Sequence, residues 1–108
     1  MAKFVIQKES EEQFSWILKT NSDEVLLTSV TFTTKENCLA GIENSKKYLA
    51  AGNFKDLVSV RDEPYFNQLG RNYQVLGTSP MYETEDDKNV GIENVKRKVP
   101  TAIIEDLV

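Results

Sequence analysis

Histidine is absent from the 108 residues, which removes the commonest general base near neutral pH and the commonest imidazole metal ligand. Triads that depend on it are excluded. Cysteine occurs once, at Cys38, so no internal disulfide can form, a usage that fits a reducing compartment. Neither a Gly-x-Gly-x-x-Gly fingerprint nor a Walker loop is present, so no nucleotide cofactor is expected. No stretch approaches the roughly 20 apolar residues that a bilayer span requires. The opening MAKFVIQKES contains no signal-type apolar run. These absences lead to the expectation of a soluble cytoplasmic protein with no membrane partner. Positive charge is also in deficit, 13 Lys and Arg against 17 Asp and Glu for a net charge of −4. That balance disfavours general nucleic-acid binding.

What is present is ordinary globular composition, 40% apolar and 28% charged, in a length that supports one small core. Its strongest signal is internal repetition. GIENSKKYL at 41 to 49 returns as GIENVKRKV at 91 to 99. The same offset of 50 positions superimposes Val25 and Leu26 on Val75 and Leu76, Thr28 and Ser29 on Thr78 and Ser79, and Thr34 on Thr84. It also sets FKDLV at 54 to 58 on IEDLV at 104 to 108. A fixed offset held without a gap identifies two copies of one supersecondary unit. The chain therefore reads as a single domain, 1–108, built of repeats at about 1–51 and 52–100 with a C-terminal strand at 101–108.

Within the first unit, QFSWILKT alternates at the period of a half-buried strand. Asn21-Ser22-Asp23 carries turn chemistry, EVLLTSV supplies a second strand to close a hairpin, and KFVIQKE supplies a third. Thr33 stands three residues before Glu36, the spacing of a capping box, which predicts a helix start there. Cys38, Ile42, Ser45 and Leu49 recur at helical spacing as its inward face. The second unit predicts strands in LVSVRD, YFNQL and YQVLGTS, then a helix from Thr84 to about Lys98 with Ile92, Val95 and Val99 inward. Gly41 and Gly91 interrupt these helices at a cost of about 1 kcal/mol each relative to alanine. Close packing of helix on sheet accounts for both. Contact with a ligand is the alternative reading of GIEN, and it makes Asn44 and Asn94 candidate binding positions.

A hairpin, then Thr-Ser with an aromatic three positions on (Phe32, Tyr82), then Gly-Ile and a lysine-bearing helix, together with YFN at 65 to 67, GTSPMY at 77 to 82 and the closing IEDLV, resembles the YegP-like family of small bacterial tandem-repeat proteins. The resemblance covers essentially the whole chain. It implies an α+β fold, two tandem β-β-β-α repeats sharing one antiparallel sheet with both helices packed on one face. It also implies a family without an assigned function. Three features depart from the pattern. The turns read Ser22-Asp23 and Asn72-Tyr73 rather than Asn-Gly, and a tyrosine resists the positive φ of a tight mirror-image turn. An acid follows Gly-Ile. Gln68 and Leu69 reverse the inward alternation, so that either a bulge corrects the register or Gln68 reaches the edge of the core.

Candidate chemistry is sparse. Cys38 has Lys88 as its repeat counterpart and reads as a small buried apolar residue. YETEDD at 82 to 87 lacks the ligand spacing of a calcium loop and reads as an acidic helix start. Lys46, Lys47, Lys96, Arg97 and Lys98 suit helix C-termini, with a weak nucleic-acid role as the alternative. Thr28, Ser29, Thr78 and Ser79 either bind a small polar ligand at a pseudo-symmetric position or simply end strands. No cofactor is expected. The leading expectation is a non-enzymatic binding or protein-interaction module that uses the open sheet face or an edge strand. Its partner is another protein or a second copy, and the C-terminal strand either closes the sheet within the chain by pairing near the first unit or pairs with a second copy. A small-ligand sensor or enzyme with a pocket between repeats is the alternative.

Overall fold

Phe4 and Ile6 of KFVIQKES and Trp16 and Leu18 of QFSWILK, each two residues apart, give the first two strands an inward face, and a computed structural model describing residues 1–108 shows what covers it. Strands β1 (Lys3–Ser10), β2 (Gln13–Lys19) and β3 (Val25–Ser29) precede helix α1 (Lys35–Lys47). Strands β4 (Phe54–Val58), β5 (Pro64–Leu69) and β6 (Val75–Thr78) precede helix α2 (Glu85–Lys98), and β7 (Ile103–Asp106) ends the chain. The sheet order is β4-β5-β6-β3-β2-β1-β7. The two units meet where β3 pairs with β6, placing Thr28 opposite Thr78. Because those threonines are repeat equivalents, their meeting line is a pseudo-two-fold axis.

Neighbouring strands run antiparallel throughout except at one edge. There β7 lies parallel to β1, with Ile104 opposite Phe4, so the expected antiparallel sheet is a mixed one. Ile103 N donates to Ala2 O at 3.1 Å, which starts both strands at the same end of the sheet. The C-terminal segment thus completes the sheet within its own chain. No helix is long and apolar enough to cross a membrane.

Phe4, Ile6, Trp16 and Leu18 join Phe66, Ile42 of α1 and Val95 and Val99 at the end of α2 in one buried cluster, so both helices cover the same face. Full burial of a side chain such as Phe66 contributes about 1.5–3 kcal/mol. Phe4 meets Trp16 edge-on at 5.1 Å, and the equivalent pair Phe54 and Phe66 repeats that geometry at 6.0 Å. Aromatic quadrupoles favour this arrangement. The opposite face carries Lys3, Val5 and Gln7 of β1 against Lys19, Ile17 and Ser15 of β2, and no helix covers it.

Each helix begins on a threonine. In α2 it is Thr84, as expected, whose Oγ1 accepts from Asp87 N at 3.0 Å. In α1 the cap is Thr34 rather than Thr33, accepting from Asn37 N at 3.1 Å, one residue later than the capping-box spacing indicated. Thr34 is the repeat equivalent of Thr84, and this phase is the one that turns Cys38, Ile42 and Ser45 inward. Leu49 falls beyond the helix end and is only partly buried, as is Ile92 in α2.

Gln68 resolves its irregular strand in both ways at once. A bulge separates it from Leu69 in the pairing with β6, and its amide is fully buried. Its Nε2 donates to Ser45 O at 2.9 Å and Tyr48 O at 2.8 Å, while its Oε1 accepts from Ser45 Oγ at 2.7 Å. A strand of the second repeat therefore satisfies carbonyls that the C-terminus of α1 would otherwise leave without partners.

The β5–β6 turn contradicts the expectation for tyrosine. Asn72 and Tyr73 both take left-handed φ, 57° and 61°, and Gln74 N donates to Arg71 O at 3.2 Å, which is a tight mirror-image turn. Asparagine tolerates that region and an exposed tyrosine does so at a cost. Tyr73→Gly is expected to raise the unfolding free energy by about 0.5–1 kcal/mol. The gain would be read as a higher urea midpoint at unchanged m-value. A lower midpoint would show that the ring contributes more than the backbone strain costs.

Candidate functional site

Thr28 and Thr78 lie side by side on the axis, on the helix-free face, and Thr78 Oγ1 donates to Asn67 Oδ1 at 2.8 Å. Ser29 and Ser79 are strand terminators. Ser29 Oγ accepts from Trp16 N at 2.9 Å and donates to Val30 O at 2.7 Å, and Ser79 does the same with Phe66 N at 2.9 Å and Pro80 O at 2.8 Å. With donor and acceptor both engaged, the serines have a structural role in each copy. Asn44 and Asn94 stand elsewhere, in the walls of two clefts.

The first cleft, ≈ 270 Å³, lies between α1, the loop carrying Val30 and Phe32, and the start of β6 at Gln74, Val75 and Leu76. The second, ≈ 340 Å³, lies between α2, the loop carrying Met81 and Tyr82, and Glu24 of the first repeat. At the offset of 50 the walls correspond: Phe32 with Tyr82, Asn37 with Asp87, Ala40 with Val90, Gly41 with Gly91, Asn44 with Asn94, and Gln74 with Glu24. Each repeat completes the other's cleft across the axis.

Gly41 and Gly91 form the floors. A Cβ on Gly41 would lie 2.6 Å from Phe32 Cζ and 3.1 Å from Trp16 Nε1. On Gly91 it would lie 2.7 Å from Tyr82 Cζ and 3.3 Å from Phe66 Cε1. The glycines therefore admit two rings each, one from the loop and one from the sheet. Burial of the Tyr82 ring, and then the charge of Glu24, raise its phenol pKa above the ordinary 10. The clefts share a shape and differ in charge, because Glu24, Asp87 and Tyr82 in one are Gln74, Asn37 and Phe32 in the other. Those acid–amide pairs are visible when the sequence is slid by 50 positions, although neither acid nor amide stands out alone.

The same register recurs in comparison with known proteins. The model of the family described as "Domain of unknown function (DUF1508)" matches twice, at residues 9–56 and 59–106. The chain belongs to the DUF1508 family. Among its relatives, a UPF0339 protein of Shewanella oneidensis is 36% identical over 106 residues, covering 96% of each chain. UPF0339 protein YegP of Escherichia coli is 29% identical over 104 residues, covering 95% of this chain and 94% of its own. The solution NMR structure of a UPF0339 protein from Shewanella oneidensis superimposes with a TM-score of 0.91 at 34% identity, covering 98% of this chain and 91% of that one. Escherichia coli YegP, described as a protein of unknown function, superimposes at 0.90 and 28% identity, with 98% and 92% covered. The DUF1508 assignment accounts for the tandem α+β fold, and these relatives carry no activity in their names.

Several other ionisable groups in this DUF1508 chain are engaged structurally. Cys38 is fully buried, and burial, followed by the charge of Asp106, pushes its thiol up to about 11. The neutral thiol's contribution to stability is complete below the ordinary pKa near 9 and is lost as pH rises from there through the folded value of about 11. Labelling of native protein by a disulfide reagent at pH 8 is expected to be more than about a hundredfold slower than labelling of the unfolded chain. Comparable rates would mean that α1 opens readily. Among the helix-end cations, Lys46 Nζ donates to Ala102 O at 3.2 Å, Lys47 lies over the Tyr48 ring, Lys96 pairs with Glu93 and lies over Phe54, and Arg97 donates to Asn94 Oδ1 at 2.8 Å.

Proposed function

We propose that this protein is a non-enzymatic binding module that holds a protein partner at two points, through the paired clefts between its repeats. The observation that carries this reading is the twinning itself. One scaffold presents the same concave, ring-and-glycine shape twice, with three acidic side chains (Glu24, Glu83, Asp87) lining one copy and amides (Asn37, Asn44, Gln74) lining the other. A partner that offers an uncharged group and a cationic group at the matching separation gains from both contacts together. The buried high-pKa thiol and the lack of histidine favour binding over catalysis.

Capture by tagged protein, identified by mass spectrometry, tests the reading when wild type is compared with Ala40→Arg and Val90→Arg. Both positions are exposed and line a cleft, so each arginine obstructs one cleft without disturbing the core. Loss of the captured partner in both variants is expected. Full retention in both would overturn the proposal.

A second reading has its own support. β7 covers the outer edge of β1, but nothing covers the outer edge of β4, where Val58 is 59% exposed. An uncovered edge accepts a partner strand through main-chain hydrogen bonds. Under that reading Val58→Lys removes capture and the arginine variants leave it intact.

A further inference from the structure

We infer that the first-repeat cleft takes an uncharged peptide segment, a small apolar side chain with its backbone carbonyl, and that the indole N–H of Trp16 is the donor held for that carbonyl. This rests on the proposed binding reading and names what that cleft recognises. The lining contains no charged side chain: Asn37, Asn44 and Gln74 face it together with Val30, Phe32 and Leu76. A charged group entering there would lose hydration without a counter-charge. Carboxamides offer donors and acceptors side by side, which matches both halves of a peptide group. At ≈ 270 Å³ the cleft falls just below the usual ligand-pocket size, suited to a residue-sized fragment and not to a large cofactor.

The indole supplies an independent observation. Trp16 is fully buried and its Nε1 is without a hydrogen-bond partner, a condition that native proteins rarely leave unexplained. That atom lies behind the cleft floor at Gly41. Nε1 lies 3.1 Å, and Phe32 Cε2 3.2 Å, from the point where a Gly41 Cβ would stand. Phe32's backbone is held by two hydrogen bonds to Phe14, each 2.8 Å, which leaves ring rotation as the way to uncover the N–H. A carbonyl that displaces the ring edge satisfies the orphaned donor. In the acidic twin, Phe66 takes Trp16's place and has no N–H to offer, so the buried donor and the uncharged lining coincide in one cleft only.

The chain's single tryptophan gives a single indole resonance. Full-length ¹⁵N-labelled protein titrated with N-acetyl-L-valinamide is expected to show a saturable shift of that resonance and of the Asn44 side-chain amide. Agmatine, a cationic probe, should leave both unmoved. Trp16→Phe imitates the twin, and Asn37→Asp with Gln74→Glu gives the cleft the twin's charges on exposed positions that do not test folding. Each is expected to weaken the neutral probe by about tenfold or more. Unchanged affinity in the Asp/Glu variant, or shifts confined to the second cleft, would overturn the inference. If the probe moves nothing while Ala40→Arg still abolishes partner capture, the inference fails and the binding reading stands. If capture also survives both arginine variants, the two fail together.

Discussion

Replacing Gly41 with valine is expected to destabilise the protein by about 3 kcal/mol, and with alanine by about 1 kcal/mol, although alanine is the better helix former by about 1 kcal/mol. The opposing term is steric. A Cβ there would press on the Phe32 ring and on Trp16, and Trp16 is fully buried with no room to retreat. The mechanism makes a sharper claim than the loss alone. In a Phe32→Ala background the loop ring is gone, so Gly41→Ala should become neutral or stabilising. A double-mutant cycle would then return a coupling of about 1–2 kcal/mol. Additive effects would show that the helix needs glycine for some other reason. Gly91→Ala meets the equivalent obstacle, the end of the half-buried Tyr82 side chain with Phe66 behind it, and should cost about as much.

The second large effect concerns Lys88. Its side chain is 1% exposed, and its ammonium lies 2.7 Å from both Asp56 and Glu85, fastening α2 to the edge strand β4. Asp56→Asn with Glu85→Gln should cost about 3 kcal/mol, because it strips a buried cation of its counter-charges. Lys88→Met should cost about 1 kcal/mol or less, since the chain's volume is kept and both carboxylates, 66% and 63% exposed, return to water. Urea denaturation of the two variants decides the matter, and a methionine variant weaker than the amide pair would reverse it. Burial lowers the ammonium's pKa, but hydrogen bonds to Asp56 and Glu85 and their charges outweigh it, so the folded value stands above 10.5. A raised folded pKa makes this contribution complete below pH 10.5 and lost as pH rises through the folded value. The amide pair should accordingly narrow its deficit to wild type only in strong alkali.

Much of the fold was legible because a repeated pattern carries its own confirmation. The helix beginning at Thr84 and the inward Cys38, Ile42 and Val95 follow from a period of 3.6 residues read twice over, whereas the glycines, which the sequence assigns to close helix–sheet packing, lie nearest the loop aromatics Phe32 and Tyr82. Departures arose where one copy differs from the other. Gln68 occupies the place of Leu18 and reads as a fault in strand alternation until α1 is seen to end above it. Lys88 occupies the place of Cys38 and is buried only because Asp56 and Glu85 converge on it. Tyr73 was read as resisting the very φ it adopts, since local preference is worth about 1–2 kcal/mol and the closure of a paired hairpin outweighs it. Of the six candidate binding residues, Asn44 and Asn94 line the clefts, the serines serve strand ends, and the threonines mark the axis.

The amino-acid order by itself determined that this chain is two copies of one β-β-β-α unit and which side of most of its elements is apolar, because those properties depend on neighbours within a few residues. It misplaced β4, which stands at Phe54–Val58 rather than in LVSVRD, and it carried α1 past its end at Lys47 to Leu49. Only the tertiary structure decided that the copies face each other across Thr28 and Thr78, that β7 runs alongside β1, and that Gln74 and Glu24 each complete a cleft in the opposite repeat. Those outcomes depend on how strand edges and loop ends far apart in the chain meet, and such contacts leave no local period to read.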